Sequence, residues 1–145
     1  MSRDRESGQY AGSCHCGAAG YRYTTALPQQ RWSIRACQCS FCLRHGALST
    51  SDPDGKLRFS GEYSRYRFGL RTADFLLCTQ CGVYLGALID TQKGLFGIVN
   101  VRTLEAGDGT LAPDVPADYA AENTAVRIAR REAHWTPAAV APSAA

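Results

Sequence analysis

Seven cysteines stand in three tight groups along a chain of 145 residues: Cys14-x-Cys16, Cys37-x-Cys39-x-x-Cys42 and Cys78-x-x-Cys81. A disulfide across C-x-C would strain the Cβ–S–S–Cβ torsion, whereas one metal ion can accept both thiolates from such a turn. An odd count also leaves one thiol over in any disulfide framework. Soft sulfur ligands at gaps of one and two residues point to zinc, or less often to an iron–sulfur centre. Cys39–Cys42 and Cys78–Cys81 also match the C-x-x-C of thiol–disulfide enzymes, but no βαβ pattern surrounds either pair.

A structural zinc takes four ligands, so seven thiolates make one such set and leave three. Two groups run straight into glycine, Cys16-Gly17 and Cys81-Gly82, and glycine takes the positive φ that a metal knuckle demands. Cys42 is followed by Leu43 instead. The expected pairing is therefore Cys14, Cys16, Cys78 and Cys81 in one closed site, with Cys37, Cys39 and Cys42 left as a three-thiolate site. Three protein ligands leave a fourth position for water or substrate, the arrangement of catalytic zinc. The alternative is that His45, three residues after Cys42, closes a Cys3His structural site. His15 reads as a solvated imidazole inside the first knuckle, and His134 as a cation suited to the last turn of a helix.

The length suits one domain. A content of 45% hydrophobic and 20% charged residues is an ordinary globular balance. No run approaches eighteen apolar residues, so no membrane helix is expected. No apolar run follows the basic residues of Met1–Glu6, and reduced thiols suit the cytosol, so a cytoplasmic location is expected. A net charge of +3, scattered along the chain, argues against nucleic acid as a partner. Arginines alternating with tyrosines, such as Arg22 beside Tyr21 and Tyr23, read as the solvated side of a sheet. Arginine supplies 14 of the 16 basic residues, which favours planar recognition of carboxylates.

The body reads as mostly β. Tyr21, Tyr23 and Thr25 alternate with Arg22 and Thr24, and Trp32, Ile34 and Ala36 with Arg31, Ser33 and Arg35, giving two half-buried strands. Lys56–Ser60 and Tyr63–Phe68 flank Gly61-Glu62 as a hairpin. Thr72–Leu77, Tyr84–Ile89 and Leu95–Val101 are further strands. Only Asp118–His134 reads as helical, capped by Asp118, with Tyr119, Ala121, Ala125, Ile128 and Ala129 on one side. Residues 1–11 are expected as a flexible arm, 12–135 as one zinc-binding domain, and 136–145 as a disordered Ala/Pro tail.

The three motifs, Gly12-Ser13-Cys14-His15-Cys16-Gly17, Cys37-Gln38-Cys39-Ser40-Phe41-Cys42-Leu43-Arg44-His45-Gly46-Ala47 and Cys78-Thr79-Gln80-Cys81-Gly82, resemble in order and spacing the glutathione-dependent formaldehyde-activating enzymes. Gly97–Leu104 and the late Trp135 are similar to residues of that family, and the likeness spans Gly12 to Trp135. The resemblance implies a β-tent of coiled antiparallel sheets around a structural zinc held by Cys14, Cys16, Cys78 and Cys81, with one short C-terminal helix. It also implies a second zinc at Cys37, Cys39 and Cys42, the catalytic cysteines, where glutathione and formaldehyde combine as in S-(hydroxymethyl)glutathione synthase, a carbon–sulfur lyase. Arg44 and the strand arginines are then candidates for the carboxylates of glutathione. The chain departs from the family at Leu48–Pro53, which is short and polar where many relatives carry an aromatic-rich strand. The alternative function is a non-catalytic zinc-binding β-tent module that binds a protein partner.

Overall fold

The structure is a computed structural model that describes residues 8–105 and 111–141. It is mainly β, with eleven strands and two α-helices among the described residues. Alternation builds the first layer. In β2 (Ala19–Thr25) Ala19, Tyr21, Tyr23 and Thr25 are buried, and in β5 (Lys56–Gly61) Leu57 and Phe59 are buried, while the residues between them face outward. β1 (Gly8–Ser13) pairs antiparallel with β2, and β2 with β5.

The second layer centres on β8 (Tyr84–Thr91), paired antiparallel with β7 (Asp74–Cys78) and β9 (Gly94–Asn100). All of Tyr84–Ile89 is buried, because both faces of this strand are covered. Leu85 and Leu88 pack into one apolar cluster with Tyr21, Phe59 and Trp32, and Tyr84, Ala87 and Ile89 into another with Phe75, Ile98 and Trp135. A bulge beside Leu85, where the β7 register shifts, keeps this two-sided division in phase. Cys14 and Cys78 belong to the first cluster and Cys42 to the second, so the two cysteine sites back onto different cores.

Several elements differ from the sequence-based expectation. Lys56–Ser60 and Tyr63–Phe68 do not form a hairpin: β6 (Tyr63–Tyr66) pairs only with β7, and the chain turns away at Gly61, whose φ is +92°. A Cβ there would stand 2.2 Å from the Ala18 carbonyl oxygen, so the close approach of β2 requires glycine. The strand expected from Trp32 shortens to β3 (Arg35–Cys37), although Trp32 and Ile34 are buried as the alternation predicts. A short helix, α1 (Ser40–His45), was not anticipated; it carries Cys42 and ends on Gly46 in the left-handed region. The C-terminal helix α2 runs Thr124–His134 and is capped by Asn123, whose Oδ1 accepts the Val126 N–H at 2.8 Å, rather than by Asp118.

The expected arm and tail also differ. Gly8–Ala11 lie in β1, and Thr136–Val140 form β11, which runs parallel to β5 and antiparallel to β9 and so joins the two layers. Residues 1–7 and 142–145, the remainder of those two segments, lie outside the described residues. A second parallel pair joins β3 to β10 (Val115–Ala117), so the antiparallel sheets carry two parallel contacts. β4 (Ser49–Thr50) bridges β3 and β9. No helix among the described residues is long and apolar enough to cross a membrane.

Candidate functional site

The four cysteines expected to share a site come together. The Sγ atoms of Cys14, Cys16, Cys78 and Cys81 all lie within 4.8 Å of one another. Cys14 and Cys16 are 3.7 Å apart and Cys16 and Cys78 3.6 Å. Four sulfurs placed tetrahedrally around zinc at about 2.3 Å stand about 3.8 Å apart, so the donor set fits the ion in both chemistry and spacing. The two knuckles are alike. Gly17 and Gly82 take φ of +86° and +80°, and their N–H groups return to the carbonyls of Cys14 and Cys78. Backbone N–H groups also point at sulfur, from Ala19 to Cys14 and from Gln80 and Cys81 to Cys78. Backbone N–H groups of Val83 and Cys16 hold the Cys81 thiol down to about 6, which favours the thiolate that a metal binds.

The remaining three cysteines form the second cluster, again with their sulfurs within 4.8 Å of one another. β3 delivers Cys37, the residue before α1 is Cys39, and Cys42 lies one turn into the helix. The Cys39 Sγ caps α1 by accepting the Cys42 N–H at 3.4 Å. Hydrogen bonds from the Cys37 and Cys42 thiols, with the Cys42 and Phe41 amides, hold Cys39 far below the ordinary thiol range. His45 does not complete this set: it is exposed, and its ring lies on Phe41 with centroids 4.4 Å apart. His15 and His134 are exposed as well.

Beside the trio is a cavity of about 150 Å³, lined in part by Cys37, Cys39 and Cys42. Its lining combines apolar side chains, Phe68, Phe75, Ile98 and Trp135, with four arginines, Arg35, Arg127, Arg130 and Arg131. Sequence reasoning missed the last three. It read α2 for apolar residues, yet Ala125 and Ala129 are exposed, and the inward side carries Arg127, Ile128 and Arg131. The signal was present as arginine at i, i+3 and i+4. Arg44, expected as a carboxylate ligand, is exposed and donates to the Ser40 carbonyl of its own helix at 3.3 Å.

The polar stretch after Ala47 does flank this cavity, through Ser49. Ser49, Thr50, Ser51 and Asp52 are all buried and bonded into the fold: Arg35 Nη2 donates to Ser51 Oγ and Ser51 Oγ to the His134 carbonyl, each at 2.8 Å. Burial lowers the pKa of Arg35. Tyr84 belongs to the same core as Cys42, and its hydroxyl is sealed from solvent with no hydrogen-bond partner among the described residues. Burial raises its pKa well above the ordinary phenol value, and the thiols of Cys42, Cys37 and Cys39 push it further.

The fold and site define a mainly β chain with two cysteine clusters that could hold metal, one of four thiols and one of three that opens on a cavity. The sequence model of the glutathione-dependent formaldehyde-activating enzyme family matches residues 9–122, and the chain belongs to that family. A crystal structure of a Rhodobacter sphaeroides protein is 28% identical, covering 72% of this chain and 99% of its own, with a TM-score of 0.49. No curated protein matches the chain.

Proposed function

We propose that the chain is a zinc-dependent enzyme of the carbon–sulfur class that joins a small-molecule thiol, glutathione or a related compound, to formaldehyde. The observation that carries this reading is the three-cysteine cluster on a cavity wall, with no fourth protein ligand among the described residues. In this reading Cys14, Cys16, Cys78 and Cys81 hold a structural zinc, and Cys37, Cys39 and Cys42 hold the catalytic one. Bound there, zinc would lower the pKa of an incoming thiol so that its thiolate forms near neutral pH.

The chain's own residues supply the rest. Sulfur attacks the carbonyl carbon, the carbon–sulfur bond forms, and the thiol proton ends on the former carbonyl oxygen; nothing is oxidised or reduced. Phe68, Phe75, Ile98 and Trp135 exclude water, which favours the free aldehyde over its hydrate. The cavity holds the two reactants together, and proximity of this kind removes several kcal/mol of barrier. Arg35, two residues before Cys37, offsets the negative charge of the thiolate trio.

Cobalt substitution followed by glutathione titration tests the reading. The expected result is a saturable change in the visible ligand-field bands at one of two cobalt sites, followed by product formation when formaldehyde is added. Two filled cobalt sites that ignore glutathione would overturn it and favour a non-catalytic module that binds a protein partner.

A further inference from the structure

The arginines that α2 turns toward the cavity are not equivalent. Arg127 and Arg130 are already paired with one carboxylate: Arg127 Nε lies 3.1 Å from Glu122 Oε1 and Arg130 Nε 2.6 Å from Oε2. Arg130 also covers the Tyr119 ring, its Cζ 3.6 Å from the centroid. Arg131 has no carboxylate partner among the described residues. It is only 8% exposed, its Nη1 donates to Thr72 Oγ1 at 2.8 Å, and its Cζ lies 4.7 Å from the centroid of Trp135. Its Nε is sealed from solvent with no acceptor. A buried guanidinium with one neutral hydrogen bond and no anion is unfavourable for the fold unless something else brings the anion.

We infer that Arg131 is the specificity-determining residue of the cavity: it binds a carboxylate carried by the thiol substrate close to the sulfur. This rests on reading the three-cysteine site as a thiol site. Arg131 and the cysteines line one cavity of about 150 Å³, so sulfur and carboxylate must belong to one compact fragment. The planar fork of arginine suits a carboxylate, and Trp135 beneath it holds that plane in place. The family match ends at residue 122, so Arg131 lies in a part of the chain it does not cover. If Arg131 served only to balance the charge of the thiolates, the site would show no preference for an acidic thiol.

The test is calorimetric titration of the zinc-loaded full chain with 3-mercaptopropionate, its neutral isostere 3-mercaptopropionamide, and propionate. The acid is expected to bind at least tenfold more tightly than the amide. In Arg131→Gln the two should bind within twofold of each other, with the amide unchanged. Equal affinities of acid and amide for the wild type overturn the role of Arg131 and leave the thiol reading standing. Binding of propionate alone, lost in Arg131→Gln, overturns the thiol reading while Arg131 remains an anion site. No binding by any of the three overturns both. Should Arg131→Gln fail to fold, the wild-type comparison still decides, and Arg131→Lys, which keeps the charge but not the fork, is expected to retain only part of the preference.

Discussion

The four-cysteine cluster draws its thiols from two turns, with Cys16 and Cys78 separated by 62 residues, whereas the trio comes from the single stretch Cys37–Cys42. The first has a core behind it and a positive-φ glycine after each knuckle. The second has a core behind it and a cavity in front. Similar ligands thus do different work according to what they join. A metal that ties distant turns removes a long loop's worth of freedom from the unfolded chain, while one bound within six residues constrains almost nothing beyond itself. On the proposed reading, a metal in the long-range cluster would hold the fold, and one in the local cluster would be free to serve chemistry.

The sharpest way to break this contrast is to delete one sulfur from each. Cys78→Ser should abolish the cooperative fold, because apparent metal affinities of about 10–16 kcal/mol for a structural zinc far exceed the net stability of a domain. Cys42→Ser should lose one metal and keep the fold, at a cost of about 1–2 kcal/mol for the altered core contact. Metal content per chain and thermal unfolding followed by circular dichroism separate the two. Equal unfolding by both variants would mean that the trio is structural too.

A smaller effect is expected at the knuckles. Gly17 and Gly82 have open space where a Cβ would stand, so alanine there meets no clash and suffers only from the positive φ. Gly17→Ala should cost about 1–2 kcal/mol and loosen the four-cysteine site alone. Competition with a chelator should release one metal earlier and leave the other unchanged. Loss from the trio instead would contradict the pairing.

These glycines are also where the sequence was most informative. Cys16-Gly17 and Cys81-Gly82 announced both the backbone conformation and which four cysteines come together, because a local requirement for positive φ is written in one residue type. The alternation that buries Tyr21, Tyr23, Leu57 and Phe59 was equally direct. What escaped depends on distant partners. Thr136–Val140 is poor in strand formers and becomes a strand because β5 and β9 offer it backbone groups from both layers. Helix α2 turns Arg127 and Arg131 toward a cavity assembled from distant elements, and a search for apolar periodicity passes over them. Gly61 read as a hairpin turn because the close approach of Ala18 lies 43 residues away in sequence.

The two cores can be compared through their hydroxyls. Tyr21, on the four-cysteine side, lies 2.9 Å from Thr103 Oγ1, whereas Tyr84, beside the trio, has no partner among the described residues. Tyr21→Phe should therefore destabilise by about 1 kcal/mol, and Tyr84→Phe should be neutral or stabilise by about 1 kcal/mol, since an unpartnered buried hydroxyl is itself unfavourable. Denaturant midpoints of the two variants check the sign. A loss at Tyr84 as large as at Tyr21 would show that the hydroxyl has a partner in the trio.

The smallest effect separates the arginines of the cavity from the cysteine trio. Hydrogen bonds from Arg130, with those from Arg127, hold the Glu122 carboxyl below its ordinary value. A carboxylate depressed in this way contributes stability that is fully present above the unfolded pKa of about 4.3 and is lost as pH falls through the lower folded value. Glu122→Gln should thus cost about 0.5 kcal/mol near neutral pH, a typical scale for a partly exposed ion pair. The gap from wild type should stay level from pH 7 to pH 5 and close below about pH 4. Melting temperatures of the two proteins across that range measure it. The same substitution frees Arg127 and Arg130, so acidic thiols should bind more tightly while neutral ones are unaffected. If neutral thiols gained equally, Glu122 would be acting on the shape of the cavity rather than on its charge.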